Sequence, residues 1–311
     1  MQGKVKSKAA IVKAYACRLR DIVKIQDYDA IWVQYELFPY LPLIDRIFPM
    51  LCSKPIIYDI DDAIFHMYDS HPSKIVRFLL GGKLRPLMRR SSVCLCGNEY
   101  LRDYVLKAGG RAIIVPTVVD TDVLRPRSFP TDAPVTVGWI GSPSTWGYVE
   151  PLLPTLLPAL ARLNVRFHVI GAGPAASGIQ GITSIDWDEA REAEDIQAMD
   201  IGLMPLQDEL WARGKCGYKL IQYMACGLPV IASPVGVNAT LVEHGKNGFV
   251  ARSEQEWEEA IRIFAGNADM RRGMGEKGRA KIIESYSLQS QQPIILATLR
   301  NAVKSDFMEI L

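Results

Sequence analysis

The stretch GKCGYKLIQYMACGLPVIAS, residues 214–233, joins a helical pattern to a short apolar run. Apolar residues recur at helical spacing over residues 215–226, and Gly227 with a following proline is typical of a helix end. The run LPVIAS then reads as a buried strand. Lys215 and Lys219, one turn apart near the helix start, predict an anion-binding edge of a parallel α/β sheet.

The 311 residues exceed the usual size of a single core, so two domains are expected. Short apolar strands are predicted at 30–34, 55–59, 92–96, 112–116, 135–140, 165–170, 182–185 and 201–206. Helices are predicted at 11–26, 99–108, 188–199, 215–226, 253–266, 268–284 and 288–303. This alternation predicts an α/β fold, with a mostly parallel sheet covered by helices on both faces in each half. A proline-rich linker at 125–134 separates an N-terminal domain (1–130) from a C-terminal domain (131–287), and a last helix (288–311) is expected to pack back on the first domain.

Composition and charge argue against several classes of function. A net charge of +2 and no interleaving of aromatic and basic residues argue against nucleic-acid binding. Six cysteines without a CxxC pair and four histidines give no metal-site spacing and favour a cytoplasmic location. No run reaches the roughly 18 apolar residues of a membrane span. The basic and apolar segment HPSKIVRFLLGGKLRPLMRR, residues 71–90, suits a peripheral position on an anionic membrane, and a solvated basic face is the alternative.

Two glycine turns add to the anion site expected at the start of the helix. GSPST (141–145) and GAG (171–173) each follow a predicted strand, so both should open at the same sheet edge. Gly141 and Ser142 can bring backbone N–H groups close to an anion. Exposed lysines and ordinary glycine turns are the alternative interpretation.

At this point the residues resemble a known family. KCGYKLIQYMACGLPVIASPVG, with DIGLMPL before it and EHGKNGFV after it, resembles the nucleotide-sugar-binding half of group 1 (family 4) glycosyltransferases over nearly all of 135–290. YDIDDAIF, CGNEYL and VPTVVDT in the first half resemble the family more loosely. The resemblance implies two facing Rossmann-like domains, the GT-B arrangement. It also implies retaining, metal-independent transfer of a sugar from a nucleotide-sugar to a polysaccharide, glycolipid or lipid-linked acceptor, without a cofactor.

The donor site is predicted from the resemblance together with the lysines and glycine turns described above. Its residues are Gly141, Ser142, Gly171, Gly173, Trp187, Lys215, Gly217, Tyr218, Lys219 and Gln222. Lys215 and Lys219 are expected to hold the diphosphate, in place of an Arg and a Lys that many members carry after the first strand of this half. Gln222 takes the position of a ribose-binding glutamate and Gly214 that of a sugar-binding glutamate. Trp187 stacks on the base or is an ordinary core tryptophan.

Acidic residues mark the corresponding edge of the first half. Asp61 aligns with a functional histidine of the family, and Asp61 and Lys219 are the predicted catalytic residues. Asp59, Asp61 and Asp62 allow three interpretations: a metal site, groups that orient sugar hydroxyls, or a cap of the strand end. His66 is expected at the surface, and Glu243 is expected to be structural or a donor-side contact.

Two other functions stay open. The opening MQGKVKSKAA lacks the strand and glycine-bearing loop with which the family's N-terminal domain usually begins, so that domain is expected to be incomplete or divergent. The chain would then be a non-catalytic sugar-nucleotide-binding module or partner subunit. A sugar-nucleotide epimerase is the third interpretation. The leading prediction is a glycosyltransferase of polysaccharide or cell-envelope assembly.

Overall fold

The structure, a computed structural model, describes residues 8–126 and 133–308. Its strands are β1 (Ile31–Gln34), β2 (Ile56–Ile60), β3 (Val93–Cys96), β4 (Ala112–Ile114), β5 (Thr136–Ile140), β6 (Arg166–Ile170), β7 (Thr183–Ile185), β8 (Ile201–Met204), β9 (Val230–Ala232) and β10 (Gly248–Val250). The longer helices are α1 (Lys8–Val23), α2 (Ile44–Leu51), α6 (Glu99–Lys107), α7 (Leu153–Arg162), α10 (Tyr218–Ala225), α12 (Glu254–Gly266), α13 (Ala268–Ser285) and α14 (Leu288–Met308). The shorter ones are α3 (His66–Asp69), α4 (Lys74–Leu80), α5 (Arg85–Arg90), α8 (Glu192–Gln197), α9 (Leu210–Arg213) and α11 (Asn238–Leu241). Short 3₁₀ turns lie at Lys24–Asp27, Pro143–Tyr148, Glu150–Leu152, Gly173–Ala175 and Glu189–Arg191.

The chain divides into two compact units. The first contains Met1–Pro116, Glu209–Cys216 and Gln292–Leu311, and the second contains Thr117–Asp208 and Gly217–Gln291. The first has a four-stranded sheet in the order β1-β2-β3-β4, and the second a six-stranded sheet in the order β10-β9-β8-β5-β6-β7. Every pair of neighbouring strands is parallel. The predicted α/β class with parallel sheets is therefore confirmed.

Both faces of the first sheet are covered. On one face, Ile57 and Leu95 are buried against Ala302 of α14. On the other, Tyr58 and Cys94 belong to a larger core with residues of the helices that precede and follow β3. A strand covered on both faces has no polar side, and this explains the nearly continuous apolar runs in β2 and β3.

A buried ion group fixes the loop that follows β1. The Lys83 ammonium lies 2.7 Å from Glu36 Oε2 and 3.2 Å from Asp45 Oδ2. It also donates to the carbonyl oxygen of Phe38 at 2.6 Å. Tyr68 completes the group, because its hydroxyl donates to Glu36 at 2.8 Å. Lys83 belongs to the segment 71–90, but it is only 1% exposed, so the prediction that this whole basic stretch faces a membrane is wrong at Lys83.

The core of the second unit joins the sheet to its helices. Large side chains such as Trp139 and Phe167 on the strands pack in one cluster with Trp257 of α12. Helix α13 packs closely against the end of α10. A Cβ on Gly275 would lie only 1.9 Å from the Gly227 carbonyl oxygen. Gly227 itself has φ +73°, the left-handed conformation expected just past a helix end.

The predicted strands lie within two residues of the observed ones, and most errors concern helices. The helix predicted at 215–226 begins only at Tyr218, because Gly217 adopts φ +71° and ends any helical continuation toward Lys215. The predicted linker and the boundary at residue 130 fall mostly on residues 127–132, outside the described residues. In the described parts of the chain, we find no helix with the length and apolar character needed to cross a membrane.

Candidate functional site

The candidate site of the second unit lies at the carboxyl ends of its strands. β5 is central, and the chain continues from it to β6 on one side, while β8 lies on the other. Such a reversal of strand order leaves a crevice between the loops at the carboxyl edge, where parallel α/β sheets bind ligands. The residues Gly141 and Gly171 directly follow β5 and β6. Both predicted glycine turns therefore open at this edge.

The two turns pack directly on each other. A Cβ on Gly171 would lie 2.2 Å from the Gly141 carbonyl oxygen, and Gly171 also has φ +78°. Gly173, at φ +64°, lies against the ring of Pro143. Glycine is therefore required here by conformation and by close packing.

The backbone N–H groups at the start of the first turn already donate hydrogen bonds within the protein. Gly141 N–H donates to the Ile170 carbonyl at 3.0 Å, and Ser142 N–H donates to Thr145 Oγ1 at 3.1 Å. The prediction that these two N–H groups bind an anion therefore needs correction, because each already has an acceptor. The hydroxyl of Ser142 remains partly accessible, 2.8 Å from that of Ser144.

The start of α10 has no side-chain cap. Its N-cap, Gly217, has no side chain to accept hydrogen bonds from the first amides of the helix. A Cβ at Gly217 would lie 2.4 Å from Leu241 Cδ1 and 3.8 Å from Asn238 Oδ1, so α11 lies beside the helix start. Among the described residues, neither Nδ2 nor Oδ1 of the Asn238 side chain has a hydrogen-bond partner, although the residue is only 1% exposed. A buried amide without a partner requires an explanation, and a bound polar ligand would provide one.

Lys219, on the first turn of α10, reaches the end of β5. Its ammonium lies 5.5 Å from the centroid of the buried Trp139 ring, within cation–π range. The same ring faces Gly141, since a Cβ there would lie 2.3 Å from Trp139 Cζ2. The structure thus brings Lys219 and the glycine turns together.

Trp187 and Gln222 meet at a residue that the sequence analysis did not single out. Glu192, the first residue of α8, accepts from Trp187 Nε1 through Oε2 and from Gln222 Nε2 through Oε1, both at 2.7 Å. Gln222 is 2% exposed, whereas Trp187 remains 43% exposed. The Glu192 charge, after burial, also raises the pKa of Tyr218. The acidic character of residues 188–199 was the only sequence signal for Glu192.

Lys215 does not lie on α10, contrary to the predicted stripe with Lys219. It belongs to Glu209–Cys216, the segment assigned to the first unit. Its carbonyl oxygen accepts a hydrogen bond from the Asn98 amide at 3.1 Å, as does that of Gly214 at 3.0 Å. The predicted pair of lysines one helical turn apart therefore does not exist.

Gly214, the position aligned with a family glutamate, has no room for a side chain. A Cβ there would lie 2.4 Å from the Ala63 Cβ and 3.0 Å from the Ala63 nitrogen. Any contact that a longer residue makes at this position in other proteins must come from elsewhere in this chain.

Asp61 directly follows β2 in the first unit and lies beside a strained tyrosine. Tyr35, with φ +62°, donates its hydroxyl to Asp61 Oδ2 at 3.2 Å. The other oxygen, Oδ1, is buried without a hydrogen-bond partner among the described residues. Burial, with the Asp61 charge second, raises the pKa of Asp59 to about 6. In the described parts of the chain, no group of three or more acidic, His or Cys side chains has a metal-binding arrangement.

Two further predicted residues are structural. His66 was expected at the surface, but its ring is held by Asp69 at 2.6 Å and by the Tyr100 hydroxyl at 2.7 Å, and both contacts are partly buried. Glu243 pairs with Lys246 at 2.7 Å and Lys281 at 3.0 Å, and these contacts lower its pKa to about 2.

Comparison with known proteins supports the resemblance found in the sequence. Residues 134–267 match the family model described as "Glycosyl transferases group 1". This confirms the resemblance for most of the second unit. No curated protein matches the chain.

Solved structures show the same fold at low sequence identity. The sucrose-phosphate synthase of Thermosynechococcus elongatus has a TM-score of 0.73 at 15% identity, covering 94% of this chain and 80% of its own. Anabaena Alr3699/HepE, solved with UDP, has a TM-score of 0.72 at 17% identity, with coverages of 92% and 82%. A glycosyltransferase from Rickettsia africae has a TM-score of 0.64 at 13% identity, with coverages of 98% and 84%. At these identities the likeness shows the fold, which is that of GT-B glycosyltransferases.

Proposed function

We propose that this chain is a retaining glycosyltransferase that takes a sugar from a nucleoside diphosphate sugar, with the donor bound at the carboxyl edge of the second unit. The observation that carries the proposal is the start of α10. It combines helix amides without a side-chain cap, the Lys219 ammonium and the unpartnered side-chain amide of Asn238. The match of residues 134–267 to group 1 glycosyltransferases supports the same assignment.

The diphosphate is the ligand that the start of α10 suits best. A helix N-terminus offers partly positive amides, and a lysine on the first turn adds a full charge. When the glycosidic bond to the diphosphate breaks, negative charge grows on the leaving phosphate oxygens. Donors fixed in place before that step lower the barrier, and loss of one such donor typically costs about 3–4 kcal/mol. Lys219 is the proposed residue for this role.

Trp187, Glu192 and Gln222 form the proposed nucleoside end of the site. A carboxylate has about four acceptor positions, and Trp187 and Gln222 use one oxygen each. A carboxylate repels phosphate, so Glu192 suits the hydroxyl or N–H donors of a ribose or base. The half-exposed indole of Trp187 offers a flat face for stacking.

The first unit is the proposed acceptor side. Asp61 carries a buried, unpaired oxygen at the carboxyl end of β2, and Tyr35 holds its other oxygen. An acid held in this way suits orientation of an acceptor hydroxyl. The acceptor class we propose is a glycan or lipid-linked glycan, assembled on the cytoplasmic side of a membrane to which the protein binds peripherally.

Release of nucleoside diphosphate tests this function. The purified protein is incubated with UDP-, GDP-, ADP- and dTDP-sugars, with Mg²⁺ or with EDTA. We expect slow donor hydrolysis with one nucleotide, at the same rate in EDTA, because charge on the leaving group is balanced by the helix and Lys219. Release that requires a divalent cation would contradict the metal-independent mechanism. No release from any donor that nevertheless binds would favour a non-catalytic sugar-nucleotide-binding module.

A further inference from the structure

Helices α2 and α5 of the first unit pack together and border an open cavity of about 460 Å³. Its lining consists of Arg46, Met50, Pro86, Arg89 and Arg90. The volume lies within the range of small-ligand sites. Three of the five lining residues are arginines, so the chemistry of the cavity is cationic.

These arginines have no acidic partner in the described parts of the chain. None of them forms an ion pair there, and the single acid of α2, Asp45, is buried against Lys83. Arg89, which lines the cavity, donates from Nε to the Ala108 carbonyl at 2.8 Å, and this contact restrains its guanidinium. Like charges held together without counter-charges create a field that attracts an anion. Guanidinium groups bind phosphate oxygens in a bidentate manner, so phosphate is the anion they suit best.

Helix α2 also carries exposed apolar side chains near these arginines. Met50 lines the cavity and is 70% exposed, Leu51 is 77% exposed and Ile47 is 46% exposed. Inorganic phosphate makes no use of such side chains. A lipid surface does, because apolar residues enter the boundary between headgroups and acyl chains while basic residues contact the headgroups.

We propose that Arg46, Arg89 and Arg90, with Ile47, Met50 and Leu51, form a phospholipid-binding face that holds the phosphate headgroup of an anionic phospholipid. This inference gives the proposed peripheral membrane attachment a defined site. It keeps Arg89 and Arg90 of the segment 71–90 but excludes Lys83, which is buried. It does not depend on donor binding, which the second unit performs.

Vesicle flotation of the full chain tests the proposal at low salt. Vesicles are phosphatidylcholine alone or phosphatidylcholine with phosphatidylglycerol. We expect binding only with phosphatidylglycerol, and a loss of roughly a hundredfold in affinity in the triple variant Arg46→Ser, Arg89→Ser, Arg90→Ser, at about fivefold per basic residue. The variant Met50→Ser with Leu51→Ser should also bind more weakly. The double variant Arg262→Ser, Arg272→Ser, which removes two charges at exposed arginines of the second unit, is the control for loss of charge elsewhere and should bind like wild type.

Each failure has a separate meaning. Equal binding by the wild type and the triple variant would overturn the phospholipid-binding face but leave membrane attachment standing. No binding to any vesicle would overturn both. Inorganic phosphate that raises the melting temperature through these arginines, without vesicle binding, would identify a soluble phosphate site and also overturn the proposal. Arg46→Ser alone, at an exposed position on α2, serves if the triple variant does not fold.

Discussion

Gln222 is buried and donates a hydrogen bond to Glu192, so a carboxylate is present at this edge although the motif on α10 has none. The family resemblance located the position of Gln222, but it could not reveal the partner, which lies 30 residues earlier on another element. Gly214 is a similar case. Only the structure shows that the adjacent Ala63 leaves no space for a Cβ there.

The proposed role of Glu192 predicts a specific loss of nucleoside affinity. Glu192→Gln should weaken binding of the preferred nucleoside diphosphate by roughly 10- to 100-fold, the range expected for loss of a charged hydrogen bond of about 1.5–3 kcal/mol. The 2′-deoxy analogue should lose less. Calorimetric titration measures both, with Glu189→Gln, an exposed acid just before α8, as control. Equal losses in the two variants would contradict the role.

The packing of the two glycine turns predicts a stability difference between two matched glycines. Gly171 and Gly178 both have φ +78°, so alanine at either position costs about 1–2 kcal/mol of strain. Only Gly171 meets another atom, the Gly141 carbonyl oxygen, whereas nothing lies within 4 Å of a Cβ on Gly178. Gly171→Ala should therefore reduce the free energy of unfolding clearly more than Gly178→Ala. Urea unfolding measures this, and equal reductions would argue against the close contact.

At the scale of elements, the sequence predicted the strands well and the short helices poorly. β2 and β3 are buried on both faces, so their apolar runs are unambiguous. Helices α3, α4 and α5 span only four to seven residues, too few for a helical period to stand out. Lys83 shows the limit of charge patterns, because it lies in a basic run yet is buried with Glu36 and Asp45.

This buried group predicts a large effect of a lysine substitution. Lys83→Met leaves two carboxylates without their cation and should destabilise the first unit by about 3–5 kcal/mol. Adding Asp45→Asn should recover part of the loss, because burial already raises the pKa of Asp45. Lys107→Met, at an exposed position on α6, should stay within about 0.5 kcal/mol of wild type. Thermal and urea unfolding measure all three variants. A loss no larger than that of Lys107→Met would contradict the buried ion group.

At the scale of the whole molecule, the chain alternates between the two units more often than a simple two-domain sequence suggests. Glu209–Cys216 and Gln292–Leu311 belong to the first unit, although both adjoin segments of the second. The apolar spacing continues from Cys216 into α10, so no pattern marked the change at Gly217. This is why Lys215 was predicted on the wrong element, while Lys219 was predicted correctly on the helix.

The central claim is that the start of α10 binds the diphosphate of a sugar nucleotide through Lys219. Calorimetric titration with UDP, GDP, ADP and dTDP, on wild type, Lys219→Ala and the exposed control Lys277→Ala, tests it most directly. We predict that one nucleotide binds, that Lys219→Ala weakens it by roughly 10- to 100-fold, and that Lys277→Ala leaves it unchanged. Absence of binding by all four, or binding unaffected by Lys219→Ala, would contradict the claim.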